Sequence, residues 1–300
     1  MKILVTGGLG FVGRYLSQHL LKNGHQVIAL GRSPHPKGID HSQFQYMAAD
    51  TTVEGDWQQT VSQVDAVINL AGQSIFHRWD DSYKGLMYDS RVLTTRHLVS
   101  AIPENREMVF LSTSAVGYYG DRGEDILTES EPWRQDFLGT LSRDWEAEAL
   151  KAERPGVRVA LMRLGVVLGR GGGAFAKMEP AFKLFVGGPM GNGAHWFPWI
   201  HMADLIRAIH FLLEERDARG PFNLCAPEPV RNSELAETLG RVLDRPAIMS
   251  APKFMIRLLL GELVDVLLSS TRAVPENLLK AGFTFRFPDI ESALLDLVNN

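Results

Sequence analysis

This chain of 300 residues has a single cysteine, no long apolar run and no excess of basic charge. Cys225 is the single cysteine, which excludes an internal disulfide and a cysteine-based metal cluster. No apolar run approaches the roughly eighteen residues of a membrane-spanning helix. The formal net charge of −4 offers no basic field for nucleic acid or anionic lipid. We therefore expect a cytosolic protein that binds neither a membrane nor nucleic acid.

Glycine, by contrast, is concentrated near the first residues. An apolar strand is predicted at residues 3–5, a helix with leucines at helical spacing at residues 15–22, and a second apolar strand at residues 26–30. Gly7, Gly10 and Gly13 lie between the first strand and the helix, where their missing side chains let the backbone approach a pyrophosphate. This order is typical of a dinucleotide site. We predict that the loop binds the cofactor through Gly7, Gly10, Phe11, Val12 and Gly13.

The end of the second strand indicates which dinucleotide is bound. A chain that prefers NAD carries Asp or Glu there for the ribose 2′-hydroxyl, but this chain reads Gly31-Arg32-Ser33. A guanidinium can bind a 2′-phosphate through two charge-assisted hydrogen bonds, and Ser33 can add a hydroxyl donor. The pattern therefore favours NADP(H). The alternative is that Arg32 is an ordinary solvated loop arginine.

Strands and helices continue to alternate along the chain. Further strands are predicted at residues 45–49, 64–70, 108–111 and 157–162, with amphipathic helices at 91–102 and 137–150. This alternation predicts an α/β fold of the Rossmann type, a doubly wound parallel sheet with helices on both faces. Either helix stripe can instead bury a partner subunit, so a homodimer stays open. Ligands of such sheets lie across the carboxyl ends of the strands.

The amino-acid composition changes after about residue 169. Residues 187–201 are rich in Gly and Pro and hold Trp196, Phe197 and Trp199, which a disordered linker would not usually carry. These aromatic residues are typical of a core or a pocket wall. A helix at 205–213, a strand at 221–224 and a helix at 232–243 follow. We predict a Rossmann domain at residues 1–168, completed by about 200–226, and a smaller C-terminal substrate lobe at 169–200 and 227–300.

Motifs along the whole chain carry a resemblance to a known family. The segments that carry it are residues 7–13, 69–72, 89–92, 117–120, 144–148, 165–169, 187–193, 198–201 and 281–283. On these segments the chain resembles the extended short-chain dehydrogenase/reductases of the NAD-dependent epimerase/dehydratase superfamily, and more narrowly their atypical YfcH-like epimerase-family branch.

The resemblance implies a bound NADP(H) and several contacts beyond the glycine loop and Arg32. Leu70, Ala71 and Gly72 after the fourth strand, Arg91 on the next helix and Val166 after the sixth strand are the implied contacts. Arg91 can alternatively be a surface helix residue. Asp50 is implied at the adenine end, although an aspartate that ends a strand is often a turn former.

The resemblance also implies a catalytic set, which this chain matches only in part. The family uses a Ser or Thr after the fifth strand, matched by Ser114, and then a Tyr and a Lys four residues apart, with a Glu four further along. If Glu148 marks this register, the Lys position is Asp144 and the Tyr position is Thr140. Neither can replace the pair, because threonine does not ionise near neutral pH and aspartate repels a phenolate. Tyr118 and Tyr119 are the nearest substitutes, or they simply wall the pocket.

The sequence predicts no metal site. His195 and His201 lie six residues apart without a neighbouring Asp, Glu or Cys to complete a ligand set, and are interpreted as hydrogen-bonded residues near the lobe junction.

Two functions fit the sequence. In the first, an NADP(H)-dependent oxidoreductase or epimerase acts on a small hydroxyl- or carbonyl-bearing metabolite, with Ser114 polarising the oxygen and Tyr118 or Tyr119 moving the proton. In the second, the protein binds NADP(H) without turnover, as a redox sensor or scaffold.

Overall fold

A seven-stranded parallel sheet forms the centre of the molecule. The computed structural model describes residues 1–34, 37–250, 254, 257–258 and 261–299. The sheet strands are β1 Lys2–Thr6, β2 Gln26–Gly31, β3 Phe44–Ala48, β4 Ala66–Asn69, β5 Met108–Ala115, β7 Val157–Leu164 and β11 Gly220–Leu224. Their order in the sheet is β3-β2-β1-β4-β5-β7-β11, and it turns back between β1 and β4, which is where a doubly wound sheet opens a crevice for its ligand.

The strands form where the chain carries short apolar runs that are buried on both faces. Ile3, Leu4 and Val5 of β1 are completely buried, because helices cover both faces of the parallel sheet. One face packs against α1 Phe11–Lys22 and α5 Met202–Glu214, and the other against α2 Asp81–Ala101 and α3 Phe137–Leu150. The predicted doubly wound fold is therefore confirmed.

Two helices begin earlier than the sequence pattern indicated. α1 begins at Phe11 rather than residue 15, directly after the glycine loop. α2 begins at Asp81 rather than residue 91, because the Asp80 carboxylate accepts a hydrogen bond of 2.7 Å from the Tyr83 backbone N–H and caps the helix. The longer α2 carries Arg91 in its middle instead of at its start.

The remaining strands and helices lie outside the main sheet. Three two-stranded pairs are formed, β6 with β13, β8 with β10 and β9 with β12. Their bounds are β6 Ile126–Leu127, β8 Val166–Leu168, β9 Trp196–Phe197, β10 Trp199–His201, β12 Val230–Arg231 and β13 Arg272–Ala273. The helices here are α4 Phe175–Lys183, α6 Asn232–Leu243, α7 Leu263–Leu267, α8 Glu276–Lys280 and α9 Ile290–Asn299. Short 3₁₀ helices lie at Asp56–Gln63 and Val116–Tyr118.

The C-terminal elements have a hydrophobic cluster of their own. Phe175 of α4, Trp199 of β10, Leu235 of α6 and Leu294 of α9 are buried together in it. The expectation that Phe197 and Trp199 are core residues is confirmed. The division at residue 168 stays a prediction, and residues 251–253, 255–256, 259–260 and 300 of the predicted lobe lie outside the described part. Within the described ranges, no helix combines the length and apolarity needed to cross a membrane.

Candidate functional site

The glycine loop between β1 and α1 is tightly folded. The Gly10 backbone N–H donates to the Gly7 carbonyl at 2.8 Å, and Gly7 has a φ of +65°, which favours glycine. A Cβ on Gly13 would lie 2.1 Å from the Gly7 oxygen, so α1 can approach the loop only because residue 13 has no side chain. This close packing leaves the N-terminal end of α1 and its free backbone N–H groups facing the crevice, as pyrophosphate binding requires.

A network of hydrogen bonds joins the ends of β1 and β4 next to this loop. The Thr6 hydroxyl donates to the Asn69 side-chain oxygen at 2.6 Å and accepts from the backbone N–H groups of Leu70 and Ala71 at 3.1 Å each. The Asn69 amide then donates to Thr95 of α2 at 2.9 Å. Leu70 and Ala71 are thus held beside Gly7. Sequence reasoning missed Thr6 and Thr95, although a polar residue that ends a buried strand is the signal that could have indicated Thr6.

The end of β2 presents Arg32 at the edge of the crevice. Its guanidinium is exposed and donates to the Gln73 side-chain oxygen at 3.1 Å. Behind it, the Tyr46 hydroxyl donates to the Ser33 carbonyl at 2.8 Å, and Gly31 leaves room for that ring. The residues predicted to choose between NADP(H) and NAD therefore lie together, with Arg32 reaching from the end of β2 to the segment after β4.

Asp50 lies close to this edge but has local partners. Its carboxylate accepts from the hydroxyl and backbone N–H of Thr52, at 2.7 and 3.0 Å. These hydrogen bonds, and secondarily the nearby Arg32, lower the pKa of Asp50. The contacts are those of a turn former, the alternative that the sequence left open, and its adenine contact stays a prediction.

Arg91 lies beneath the segment after β4, largely buried. Its guanidinium donates to the carbonyls of Met87 and Gln73 at 3.0 and 2.9 Å and occupies the space beside Gly72. Burial lowers the pKa of Arg91 to about 10. The surface alternative for Arg91 does not fit this geometry, because the side chain holds the Gly72–Gln73 backbone in place.

The segment after β7 closes over the start of α1. A Cβ on Gly172 or on Gly173 would lie 2.6 Å from the Phe11 ring, so these glycines form a cradle for that ring. Val166 begins β8 near this segment, with its backbone N–H donating to the Pro198 carbonyl at 2.7 Å. Phe11 and Val166, both predicted cofactor contacts, therefore lie where the sheet meets the C-terminal elements.

A buried polar network lies between β5, α3 and β7. Ser114 donates to Glu146 at 2.6 Å, and the Arg163 guanidinium donates two hydrogen bonds of 2.8 Å to the same carboxylate. Arg163 also donates to the Tyr119 hydroxyl at 2.9 Å, which in turn donates to the Asn223 side-chain oxygen at 2.7 Å. Arg163 and Glu146 form a buried, hydrogen-bonded charge pair. A second buried carboxylate, that of Glu129, accepts a hydrogen bond of 2.8 Å from the Asn223 backbone N–H. Sequence reasoning missed Glu146, Arg163 and Asn223.

This network changes the interpretation of two predicted catalytic residues. Ser114 is 1 % exposed and Tyr119 is completely buried, and their hydroxyl protons are used within the protein. Burial also raises the pKa of Tyr119, which keeps its phenol neutral. The geometry favours positioning roles for both rather than proton transfer. Tyr118 is only half-buried, and its ring stacks on the Arg163 guanidinium at 3.6 Å.

Helix α3 carries neither a tyrosine nor a lysine among its residues Phe137–Leu150. Asp144 accepts from the Tyr88 hydroxyl at 3.0 Å, and Glu148 pairs with Arg96 and Lys151 near the surface. The α3 carboxylate that faces the sheet belongs to Glu146. Glu148, which served to locate the expected Tyr and Lys positions in the sequence, lies two residues later. Counting four and eight residues back from Glu146 gives Ser142 and Leu138, which cannot supply an ammonium or a phenol either.

Two buried histidines lie among the C-terminal elements. His201 accepts from the Ala203 backbone N–H at 3.1 Å, which caps α5, and lies 3.4 Å from the Asp296 carboxylate. The Nε2 atom of His195 has no hydrogen-bond partner within the described ranges. Burial lowers the pKa of both rings. The interpretation of His201 as a hydrogen-bonded residue is confirmed.

Comparison with known proteins supports what this geometry indicates. Residues 3–225 match the NAD dependent epimerase/dehydratase family, and residues 251–297 match a domain of unknown function, DUF1731. The chain is 39% identical over 298 residues to the Arabidopsis thaliana "Epimerase family protein SDR39U1 homolog, chloroplastic", covering 98% of this chain and 86% of the relative. It is 37% identical to the Staphylococcus haemolyticus epimerase family protein SH2119, over 99% of both chains.

A solved structure agrees with these sequence matches. The human epimerase family protein SDR39U1 (isoform 2), crystallised with NADPH, superposes with a TM-score of 0.88 at 32% identity over the full length of both chains. The chain belongs to the NAD dependent epimerase/dehydratase family.

Proposed function

We propose that the protein is an NADP(H)-dependent oxidoreductase or epimerase that acts on a small hydroxyl- or carbonyl-bearing metabolite. The observation that carries the proposal is the position of Arg32, exposed at the end of β2 with its guanidinium reaching across to Gln73, beside a glycine loop built for a pyrophosphate. The human relative crystallised with NADPH supports this cofactor. NADP(H) supplies the hydride, or accepts it, when it is bound.

The residues of the crevice fit this cofactor in two respects. Gly13 lets α1 pack directly against the glycine loop, and Gly10, the N-cap of α1, carries no side chain that would cover the first N–H groups of the helix. Arg32 and Ser33 can replace the Gln73 contact by charge-assisted hydrogen bonds to a 2′-phosphate. Gly31, Leu70, Ala71, Arg91 and Val166 then shape the remainder of the site.

Tyr118 is the residue we assign to proton transfer. It follows the carboxyl end of β5, and the Arg163 guanidinium on its ring fixes its orientation. Its phenol proton would pass to the substrate oxygen in a reduction, and return from the substrate hydroxyl in an oxidation. Ser114 and Tyr119 act through the Glu146–Arg163 pair and are positioning residues.

The second candidate is an NADP(H)-binding sensor without turnover. Helix α3 has no tyrosine or lysine, and the Ser114 and Tyr119 hydroxyls are already engaged inside the protein. These observations favour binding without a proton donor. The intact cofactor crevice is common to both candidates, so the two differ only in turnover.

Calorimetric titration with NADPH and NADH tests the cofactor assignment. NADPH should bind about 10- to 100-fold more tightly, as one charged hydrogen-bonded contact of about 1.5–3 kcal/mol predicts. Arg32→Ala should remove this preference and leave NADH affinity unchanged. Arg216→Ala is the matched control, because Arg216 is exposed on the turn before β11, at the opposite edge of the sheet. Equal affinities in the unmodified protein would contradict the assignment.

A metabolite panel monitored by NADPH absorbance separates the two candidates. Turnover that Tyr118→Phe reduces supports the enzyme. Tight NADPH binding without turnover across sugars, ketones, aldehydes and hydroxy acids would overturn the enzyme and support the sensor.

A further inference from the structure

Two histidines and a glutamate meet on the face of the sheet covered by α1 and α5. His25 lies between α1 and β2, and His210 and Glu214 lie one turn apart on α5. The Nε2 atoms of His25 and His210 are 3.3 Å apart, and the His210 Nε2 atom is also 3.3 Å from a Glu214 carboxylate oxygen. All three donor atoms lie within 4.8 Å of one another.

The two separations of 3.3 Å, both from His210 Nε2, match the edges of a tetrahedral metal site. Zn²⁺ binds His nitrogen and carboxylate oxygen at about 2.0–2.2 Å, which places two ligand atoms of a tetrahedron roughly 3.3–3.5 Å apart. We propose that His25, His210 and Glu214 bind a divalent transition-metal ion of the Zn²⁺ type, with water as the fourth ligand. The site is separate from the cofactor crevice, because His25 lies at the amino end of β2 and Arg32 lies beyond its carboxyl end.

His19 of α1 would orient the central ligand. Its Nε2 atom is 3.0 Å from the Nδ1 atom of His210. A hydrogen bond from His210 Nδ1–H to His19 selects the tautomer whose free Nε2 lone pair faces His25 and Glu214. Neutral imidazole is the form that binds metals.

The surrounding charges set the strength of the site. Lys22 and Arg207 lie near His19, and the amino group of Met1 lies 3.4 Å from His25 Nδ1. These cations oppose a bound cation, whereas the Glu214 carboxylate favours it.

The ligand set is accessible from solvent. Glu214 has a 64% exposed side chain, and a groove lined by His19, Arg207, Phe211 and Phe283 opens over the cluster. The fourth position can therefore be filled by water. The sequence predicted no metal site because His25 and His210 are 185 positions apart, and the His210–Glu214 pair alone supplies only two ligands.

Calorimetric titration of the full chain with Zn²⁺ tests the proposal, with Co²⁺ absorption as a second readout of tetrahedral geometry. One ion per chain should bind to the unmodified protein. His210→Ala should weaken binding at least tenfold, and His19→Phe, which keeps the ring shape but removes the acceptor, should weaken it by about tenfold. His41→Ala is the control for loss of an exposed histidine outside the cluster.

Glu214→Gln keeps the test valid if the histidine variants fold poorly, because this exposed side chain is not part of the core. It should also weaken Zn²⁺ binding, while circular dichroism and NADPH affinity stay unchanged. Failure to bind Zn²⁺, or equal binding by all the variants, would overturn the proposal. Since NADPH affinity is measured separately, neither result bears on the proposed cofactor site.

Discussion

Replacing Gly13 by alanine tests whether the close approach of α1 to the glycine loop creates the nucleotide site. The added Cβ would lie 2.1 Å from the Gly7 oxygen, whereas real Cβ atoms keep at least about 3.0 Å. The helix and the loop must therefore separate by nearly 1 Å. Overpacking of this kind costs about 1–3 kcal/mol of unfolding free energy. A displacement of about 1 Å in a preorganised site costs on the order of a hundredfold in function, so we expect NADPH affinity to fall by about that factor.

Gly85→Ala is the matched control, because both glycines are helical and the chemical change is the same. Gly85 lies on the exposed face of α2 with nothing within 4 Å of an added Cβ. Alanine there should raise the unfolding free energy by about 0.5–1 kcal/mol and leave NADPH binding unchanged. Calorimetric NADPH titration and thermal unfolding followed by circular dichroism measure both effects. A folded Gly13→Ala protein that binds NADPH as tightly as the unmodified chain would refute the reasoning.

Two further outcomes follow from the network and the buried histidines. Tyr118→Phe should slow turnover by about a hundredfold or more and leave NADPH affinity unchanged. Tyr119→Phe should instead lower the unfolding free energy by about 1–3 kcal/mol, because Asn223 and Arg163 lose a buried partner. Equal effects of the two variants on turnover would count against Tyr118 as the residue that transfers the proton. The pKa of His195 is lowered in the folded state, so the unfolded state binds more protons, and stability should be lost as pH falls below about 6.5. His195→Asn should flatten this part of the stability curve, measured by urea unfolding between about pH 5 and 8, and an unchanged slope would show that the ring does not contribute.

Local patterns predicted the fold and the elements that surround the proposed cofactor site, for a physical reason. The glycine loop, β1 and β2 follow one another in the sequence, so spacing alone determines their geometry. The end of β2 likewise carries Arg32 and Ser33 directly after an apolar run. Predicted strands were correct to within a few residues because each is a short apolar run buried on both faces.

Residues that meet only through the tertiary fold were not predictable in the same way. Glu146 and Glu148 are both acidic residues on one helix, and only the packing of α3 on the sheet shows that Glu146 faces Arg163. Arg163 and Asn223 come from neighbouring strands, β7 and β11, and meet Tyr119 in the folded protein. Ser114 and Tyr119 are buried by partners that are distant in the sequence. Because the sequence does not show this burial, it indicated catalytic roles for both residues.

The glycine cradle around Phe11 has a consequence for folding during synthesis. Phe11 leaves the ribosome early, but Gly172 and Gly173, which pack against its ring, are made about 160 residues later. At typical translation rates of about 5–20 residues per second, roughly 10–30 s pass between them. Throughout that interval the nascent chain has the glycine loop without the segment that covers it. The cofactor crevice is therefore completed late in synthesis. Until then the apolar Phe11 ring is not covered by Gly172 and Gly173 and is accessible to chaperones.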